Sequence, residues 1–385
     1  MINFLKSVGS IALAVGILLA MVTVHEFGHY IVGKLLNFKI TEFSVGFGPA
    51  IFKKRSKKSG EMFALRVVPL GGYCAFDGED DYEEETEKVE TEQEQAKEQS
   101  DEYPEPKGVK FNDQAPWKRI LVLIAGATMN YLLALLLLVV MFAGIGRPVY
   151  SVVVEKPEQT ASAVTAQTDI SERSGLQTGD RILKVNGKDV YLITDYMDAM
   201  NGEKAGAEIP VLVSSEGKLI TRTLVLAADA NFANMSDTQT LLKAMNIYGL
   251  FTVTESQGFF PSIGHSFVYS FKIGSTVLRS LGELLTGKLG INAVGGPVTT
   301  ISMTAQAASS GLMSFLNIAA FIGVNLAVFN LLPVPALDGC KVIFCLIEWI
   351  RKKPVNRKVE TIIHFVGIIF LLGFAVLVDL LQLFI

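Results

Sequence analysis

His25, Glu26 and His29 stand in the sequence His-Glu-Phe-Gly-His, an HExxH motif. On a helix the two His lie four residues apart on one face, so both imidazoles can reach one Zn²⁺ ion. Glu26, beside them, is placed to act as general base toward water at the metal. Between Val8 and Gly33 the only acidic or basic side chains are His25, Glu26 and His29, flanked by Lys6 and Lys34. That is a membrane-spanning run with a metal motif inside it, and ionisable residues within a membrane are functional candidates by default. The alternative is a chance motif, or two His satisfying each other in a bundle. It leaves polar groups uncompensated in hydrocarbon, where they are costly.

A second cluster lies 300 residues further on. Asn330, Pro333, Pro335, Asp338 and Gly339 give the pattern N-x-x-P-x-P-x-x-D-G. The prolines break the third apolar helix and turn the backbone inward. If that helix descends toward the cytoplasm, Asp338 reaches the depth of His25 and His29. Catalytic zinc takes three protein ligands and keeps a fourth position open, which a His₂Asp set satisfies. An Asp capping a cytoplasmic helix is the other reading. Cys340 is a softer competitor that ranks below Asp338. His265 and His364 read as interfacial side chains outside the site.

Four elements must position these residues. The chain has 385 residues, half of them hydrophobic, which suits a multi-span membrane protein with a soluble portion. Apolar runs cover about 8–33, 120–145, 312–334 and 360–385. The first is too long for a signal peptide and reads as a retained span. The net charge of −4 hides an asymmetry: residues 77–105 hold fifteen Asp/Glu and two Lys. Elsewhere Lys and Arg concentrate after the first span (Lys34 to Arg66, then Lys118 and Arg119) and between the third and fourth (Lys341 to Lys358). Both loops are therefore predicted to be cytoplasmic, with 147–310 outside. His25 lies 19 residues past Lys6 and nine before Lys34. This places it about 28 Å from one flank and about 14 Å from the other, nearer the cytoplasm. Cys74, Cys340 and Cys345 show no disulfide spacing. The short basic clusters give no sign of a nucleic-acid partner.

Residues 37–76 read as β-hairpins broken by Gly-Pro and Gly-Gly, apolar enough to dip toward the active site; an ordinary surface sheet is the alternative. The acidic stretch 77–115 reads as a disordered or loosely helical insert, either a solvated loop or a partner tail. The second span, 116–147, carries Asn130, which either supports the zinc helix or only packs. Residues 148–228 alternate short strands around Ser174-Gly175-Leu176, Gly179-Asp180-Arg181-Ile182 and Val185-Asn186-Gly187, with a helix near Thr194–Asn201. This pattern resembles a PDZ domain in its bacterial, circularly permuted order. Residues 229–310 read as a linker and an amphipathic membrane-surface segment ending in Gly295-Gly296-Pro297. The third span is set at 311–340, and a basic loop with the fourth span at 341–385.

Together these motifs resemble the site-2 protease family of intramembrane zinc metalloproteases, in its bacterial branch. HExxH lies in the first span (1–36), followed by GFGP and PLGGY, the PDZ-like insertion, GGP and N-x-x-P-x-P-x-x-D-G. The resemblance implies His25, His29 and Asp338 as ligands of one Zn²⁺ ion and Glu26 as catalytic base. It implies that Asn330, Pro333 and Pro335 help hold substrate, and that Gly71, Gly72 and Tyr73 present an edge to it. The fold class it implies is a multi-span α-helical membrane protein of about four transmembrane helices, with a membrane-associated β-hairpin region and an inserted extracytoplasmic PDZ-like α+β domain. The activity it implies is a zinc metalloendopeptidase of the bacterial inner membrane, with the acidic insert on the cytoplasmic side. Its substrates would be single-span membrane proteins already trimmed on the outer side, such as anti-sigma factors or signal-peptide remnants, held in the lipid bilayer. Three features depart from the family pattern: a single PDZ-like segment where members can have two, the acidic insert, and Cys340 where a second Gly often follows Asp-Gly. Rival readings are a membrane adaptor with structural zinc and a metal transporter. The latter needs polar residues through both leaflets, and the outer half of the first span has none.

Overall fold

The computed structural model describes residues 2–79, 103–154, 175–228, 238–290 and 294–382. Residues 80–102, most of the acidic insert, and 155–174 lie outside the described residues. In chain order the elements are α1 (Ile2–Leu35), β1 (Ile40–Arg55), β2 (Met62–Phe76), α2 (Pro116–Gly144), β3 (Arg147–Val153), β4 (Arg181–Val185), β5 (Lys188–Asp189), α3 (Ile193–Met200), β6 (Glu208–Ser215), β7 (Lys218–Val225), α4 (Thr238–Ala244), β8 (Gly249–Glu255), α5 (Phe259–Leu285), α6 (Pro297–Ser310), α7 (Leu312–Asn330), α8 (Asp338–Arg351) and α9 (Arg357–Gln382). They form two compact units, residues 1–138 with 273–385, and residues 139–272.

Among the described residues four helices are long and apolar enough to cross a membrane: α1 over Val8–Leu35, α2, α7 and α9. The shortest, α7, has 19 residues, or about 28 Å of helix, close to the ~30 Å of hydrocarbon to be crossed. It stops at Asn330, short of the apolar run, because Pro333 cannot continue a helix. Asp338 then opens a separate helix, α8, so the stretch read as one span over 311–340 holds two helices and a turn. Helices α1, α2 and α7 meet at small residues. A Cβ on Gly28 would strike the Ala125 carbonyl and Met129, and one on Gly323 would strike Ala134 and approach Met21. Such stripes let helix backbones approach closely in lipid.

Helix α6 is capped from a distance. Near the end of α9, Asp379 accepts hydrogen bonds from the Val298 and Thr299 amides (3.0 and 3.3 Å) and from the Thr299 hydroxyl (3.2 Å). A carboxylate at a helix N-terminus satisfies amides that no intrahelical carbonyl reaches. Gly296 precedes α6, and any Cβ there would collide with the Asp379 carboxylate, which accounts for a Gly in that motif.

Strands β1 and β2 form a small sheet of their own, paired antiparallel at its outer ladders. Its register is more folded than a hairpin. Glu42–Val45 pair with Gly72–Ala75 on one side and with Met62–Leu65 on the other, where the paired numbers rise together. Met62–Leu65 pair in turn with Phe52–Arg55. The sheet is thus four segments wide, in the order 50–55, 62–68, 40–45, 71–76. The motifs read as breaks are its corners. Gly46 and Gly48 (φ +88° and +81°) turn β1, and Gly71 (φ +114°) turns β2, in backbone conformations that favour Gly. Among the described residues, segment 71–76 pairs on one side only and is an edge of the sheet.

The second unit is a six-stranded sheet in the order β7-β6-β4-β3-β8, with β5 paired to β4. In β6, Ile209, Val211 and Val213 alternate inward, and Ile182, Val185 and Leu224 complete the core beneath Tyr196 and Met200 of α3 and Leu241 of α4. Asn186 and Gly187 (φ +51° and +75°) form the tight turn between β4 and β5, the type I′ geometry that the Asn-Gly pair predicts. Strand β8 pairs along all of β3. It lies in the stretch read as linker, so the sheet reaches beyond residue 228.

Candidate metal centre

Helix α1 carries His25 and His29 on one face, and the break after α7 carries Asp338 back to meet them. Asp338 Oδ2 lies 3.1 Å from His25 Nε2 and 3.4 Å from His29 Nε2. The two Nε2 atoms are 3.1 Å apart. Both residues are buried, 8 % and 6 % exposed. Among the described residues these three form the one group of His, Cys, Asp or Glu side chains able to hold a metal ion.

The donor set fits a cation. Asp338 Oδ2 is buried and accepts no hydrogen bond. His29 Nδ1–H donates to the Val122 carbonyl of α2 at 2.8 Å, which leaves the lone pair on Nε2. At His25 the amide of Asn130 lies 3.4 Å from Nδ1, and its Oδ1 is buried without a partner. Turned by 180°, that amide presents its oxygen to Nδ1–H and likewise leaves Nε2 as the lone pair. Three lone-pair atoms then converge with no proton between them, as zinc ligands do. Helix α2 passes directly over the pair, since a Cβ on Gly126 would overlap both imidazoles.

The turn that delivers Asp338 is built residue by residue. Leu337 N–H bonds back to the Val334 carbonyl at 3.1 Å, closing a turn with Pro335 at its second position. Ala336 at the third has φ +78°, where a type II turn ordinarily takes Gly. Its amide donates to His364 Nδ1 at 3.2 Å, so His364 supports the turn beyond its packing against Phe344. Gly339 is buried against the Leu331 and Leu332 carbonyls, where no Cβ fits. Pro335 packs on Gly367 of α9, Pro333 is exposed, and Asn330 ends α7 half-buried. These three stand in or before the turn and do not join the metal group.

Glu26, half-buried, faces the small sheet. A Cβ on Gly72 would come within 3.3 Å of Glu26 Cγ and 2.8 Å of the Ser44 carbonyl, so Gly72 brings the edge 71–76 close beside the base. A Cβ on Gly71 would fall inside the Phe47 ring. The Tyr73 hydroxyl is engaged within the sheet, donating to Glu42 (2.9 Å) and accepting from Arg66 (2.6 Å). Burial, then the neighbouring Glu42 carboxylate, push that hydroxyl up to about 12, so it stays a donor at neutral pH. Cys340 is buried and outside the metal group; His265 lies in the second unit, 2.7 Å from the Tyr191 hydroxyl. Sequence reasoning did not find the Val122 carbonyl, a backbone atom without a sequence signal, or the engagement of Arg66. A lone Arg between apolar strand residues is the signal that could have found the latter.

The model of peptidase family M50 matches residues 13–374. Among similar proteins, zinc metalloprotease RasP of Bacillus licheniformis is 28% identical over 91% of this chain and 93% of its own length. A putative zinc metalloprotease of Rhizobium meliloti is 31% identical over 91% and 90%. The regulator of sigma-W protease RasP of Bacillus subtilis is 28% identical over 91% and 93%. Zn²⁺ is the cofactor these relatives imply, and His25, His29 and Asp338 form a group that could bind it. With the metal motif inside the first of four apolar helices and family likeness from end to end, this chain belongs to peptidase family M50, the site-2 proteases, as a membrane zinc metalloprotease.

Proposed function

We propose that the protein hydrolyses peptide bonds within the transmembrane segments of single-span membrane proteins, with His25, His29 and Asp338 holding one Zn²⁺ ion and Glu26 as the base. The observation that carries this reading is the edge 71–76 lying against Glu26, beside the buried His25–His29–Asp338 group. Zinc bound there supplies Lewis acidity toward water and the scissile carbonyl. The Glu26 carboxylate takes the proton from the attacking water. A helix hides its carbonyls in i→i−4 hydrogen bonds, so the substrate must unwind before it reacts. The edge at Gly71, Gly72 and Tyr73 offers the freed backbone new partners by strand addition. Asn330, Pro333 and Pro335 hold substrate from the other side.

The second unit acts as a PDZ-like filter on the extracytoplasmic side that rejects uncut ectodomains, with substrates already trimmed there. The strand pattern around Gly179-Asp180 and the sheet of short antiparallel strands support this reading. Anti-sigma factors are favoured substrates, since one similar protein is named as a regulator of a sigma factor. The test compares wild type with Glu26→Gln, both with zinc content measured, on trimmed and untrimmed single-span substrates. The expected result is equal zinc, cleavage by wild type alone, and preference for trimmed substrates. Equal zinc with no cleavage by either protein would sink the protease reading. Equal cleavage of trimmed and untrimmed substrates would sink the filter.

A further inference from the structure

Arg66 is the only charged residue between Glu61 and Tyr73, in a strand of apolar neighbours. Its guanidinium reaches four groups on three different pieces of the small sheet. Nε donates to the Ser44 hydroxyl at 2.9 Å. Nη1 donates to the Gly48 carbonyl, at the corner of β1, at 2.8 Å. Nη2 donates to Glu42 at 2.7 Å and to the Tyr73 hydroxyl at 2.6 Å. Tyr73 closes the ring by donating to the same Glu42 oxygen at 2.9 Å. Ser44 is wholly buried, and the Arg66 and Glu42 side chains are about one-fifth exposed.

At the inner end of the sheet Ile40, Cys74 and Phe76 pack with Phe38 and Phe111; Arg66 reaches past that cluster to the corner of β1. The outer half of the sheet turns Ile51, Phe52 and Val67 outward, 67 %, 58 % and 56 % exposed, so an apolar core does not set its register there. A strand register that lacks a buried apolar face is weakly specified. A planar guanidinium with donors in a rigid fork fixes several acceptors in one geometry, which an ammonium cannot. The strand that Arg66 ties down through Tyr73 is the one whose Gly72 lies against Glu26.

We propose that Arg66 is a positioning residue for proteolysis: by clamping Glu42, Ser44, Gly48 and Tyr73 together, it holds the edge 71–76 in the register that presents one particular bond of the substrate to the metal centre. The proposal rests on the protease reading above, because it takes this edge to carry substrate. It also gives the Tyr73 hydroxyl a place in the clamp rather than on the substrate.

The experiment uses the full chain in lipid nanodiscs, as wild type, Arg66→Gln and Arg66→Lys, each with measured zinc. Four quantities are read: KM and kcat on a single-span substrate, product masses, and the rate at which buried Cys74, next to Tyr73, is alkylated. For Arg66→Gln at full zinc content, KM is expected to rise at least tenfold, cleavage to spread to neighbouring bonds, and Cys74 to react faster. Arg66→Lys, which keeps the charge and loses the fork, is expected to recover part of the KM and little of the bond selectivity. Should Arg66→Gln lose zinc, Tyr73→Phe removes a single member of the clamp and is expected to spread the products in the same direction. Cleavage of one bond by Arg66→Gln with wild-type KM overturns the proposal and leaves the protease reading intact. If wild type cuts nothing, the protease reading fails. The clamp is then judged on Cys74, where faster alkylation in Arg66→Gln supports it and an unchanged rate overturns it.

Discussion

The two sheets of this protein treat their apolar side chains differently. In the second unit, Ile209, Val211 and Val213 point into a core, and the neighbouring positions Glu208 and Pro210 are exposed, as in a sheet that faces water on one side. In the first unit, β1 and β2 turn Phe47, Ile51, Phe52 and Val67 outward and bury Ser44 under the Arg66 guanidinium. Apolar side chains turned outward in this way are unfavourable in water unless an apolar surface covers them. The contrast indicates that the first sheet answers to an apolar surrounding. At its inner end Ile40, Cys74 and Phe76 pack with Phe38 and Phe111 in an apolar cluster; in the outer half burial of apolar surface does not choose the register, so polar bonds and close backbone contacts must.

The sharpest way to break that contrast is to add a side chain where the first sheet depends on having none. Gly72→Val places atoms against the Ser44 carbonyl and Glu26. The valine must displace the strand, the Ser44 carbonyl or Glu26, and a displacement of about an ångström at a catalytic group costs about 10²-fold in rate. The expected outcome is kcat/KM lowered about 100-fold or more, with zinc content and the second unit unchanged. Activity within a few-fold of wild type would mean that the edge does not need to lie against Glu26.

How much of this was legible beforehand follows the same division. His25 and His29 announce themselves because their spacing matches the helix period, and Asp338 because two prolines must end a helix before it. The Asn186-Gly187 turn carries its own backbone requirement. The folded register of β1 and β2 was not legible. A period of two says which face a residue takes but not how many strands it pairs with, and Glu42–Val45 pair on both sides. Strand β8 was read as linker, since a short run such as Gly249–Glu255 becomes a strand only through pairing with β3. The links from Asp379 to α6 and from His29 to the Val122 carbonyl span 80 and 93 residues and leave no local pattern.

Loss of a core side chain in the second sheet should be felt there and not in the first, whose own apolar cluster around Ile40 and Phe76 is separate. Ile182 is fully buried beside Val213, and Ile182→Ala leaves a cavity that costs about 2–5 kcal/mol. Hydrogen exchange is expected to show the strands of residues 139–272 opening more readily while those of β1 and β2 keep their protection. Cleavage of an already trimmed substrate should stay within about twofold of wild type. Equal loss of protection in both sheets would show that they unfold as one cooperative body, and the contrast between them would lose its energetic meaning.

The smallest effect belongs to a glycine of the second sheet, set against Gly72. Gly187 also lacks a Cβ for a reason, but the reason is φ of +75° and not crowding, since nothing lies within 4 Å of the position where a Cβ would stand. Gly187→Ala therefore meets only the torsional penalty of a left-handed L-residue, about 1 kcal/mol. The β4–β5 turn is expected to loosen by that amount in hydrogen exchange, with no change in zinc content or cleavage. A larger loss would mean that the turn is held by more than its own backbone. No loss at all would mean that the turn can relax to another type. Either result would be informative because a side chain added to a glycine is expected to cost only about fivefold in local opening here, while Gly72→Val lowers kcat/KM about 100-fold.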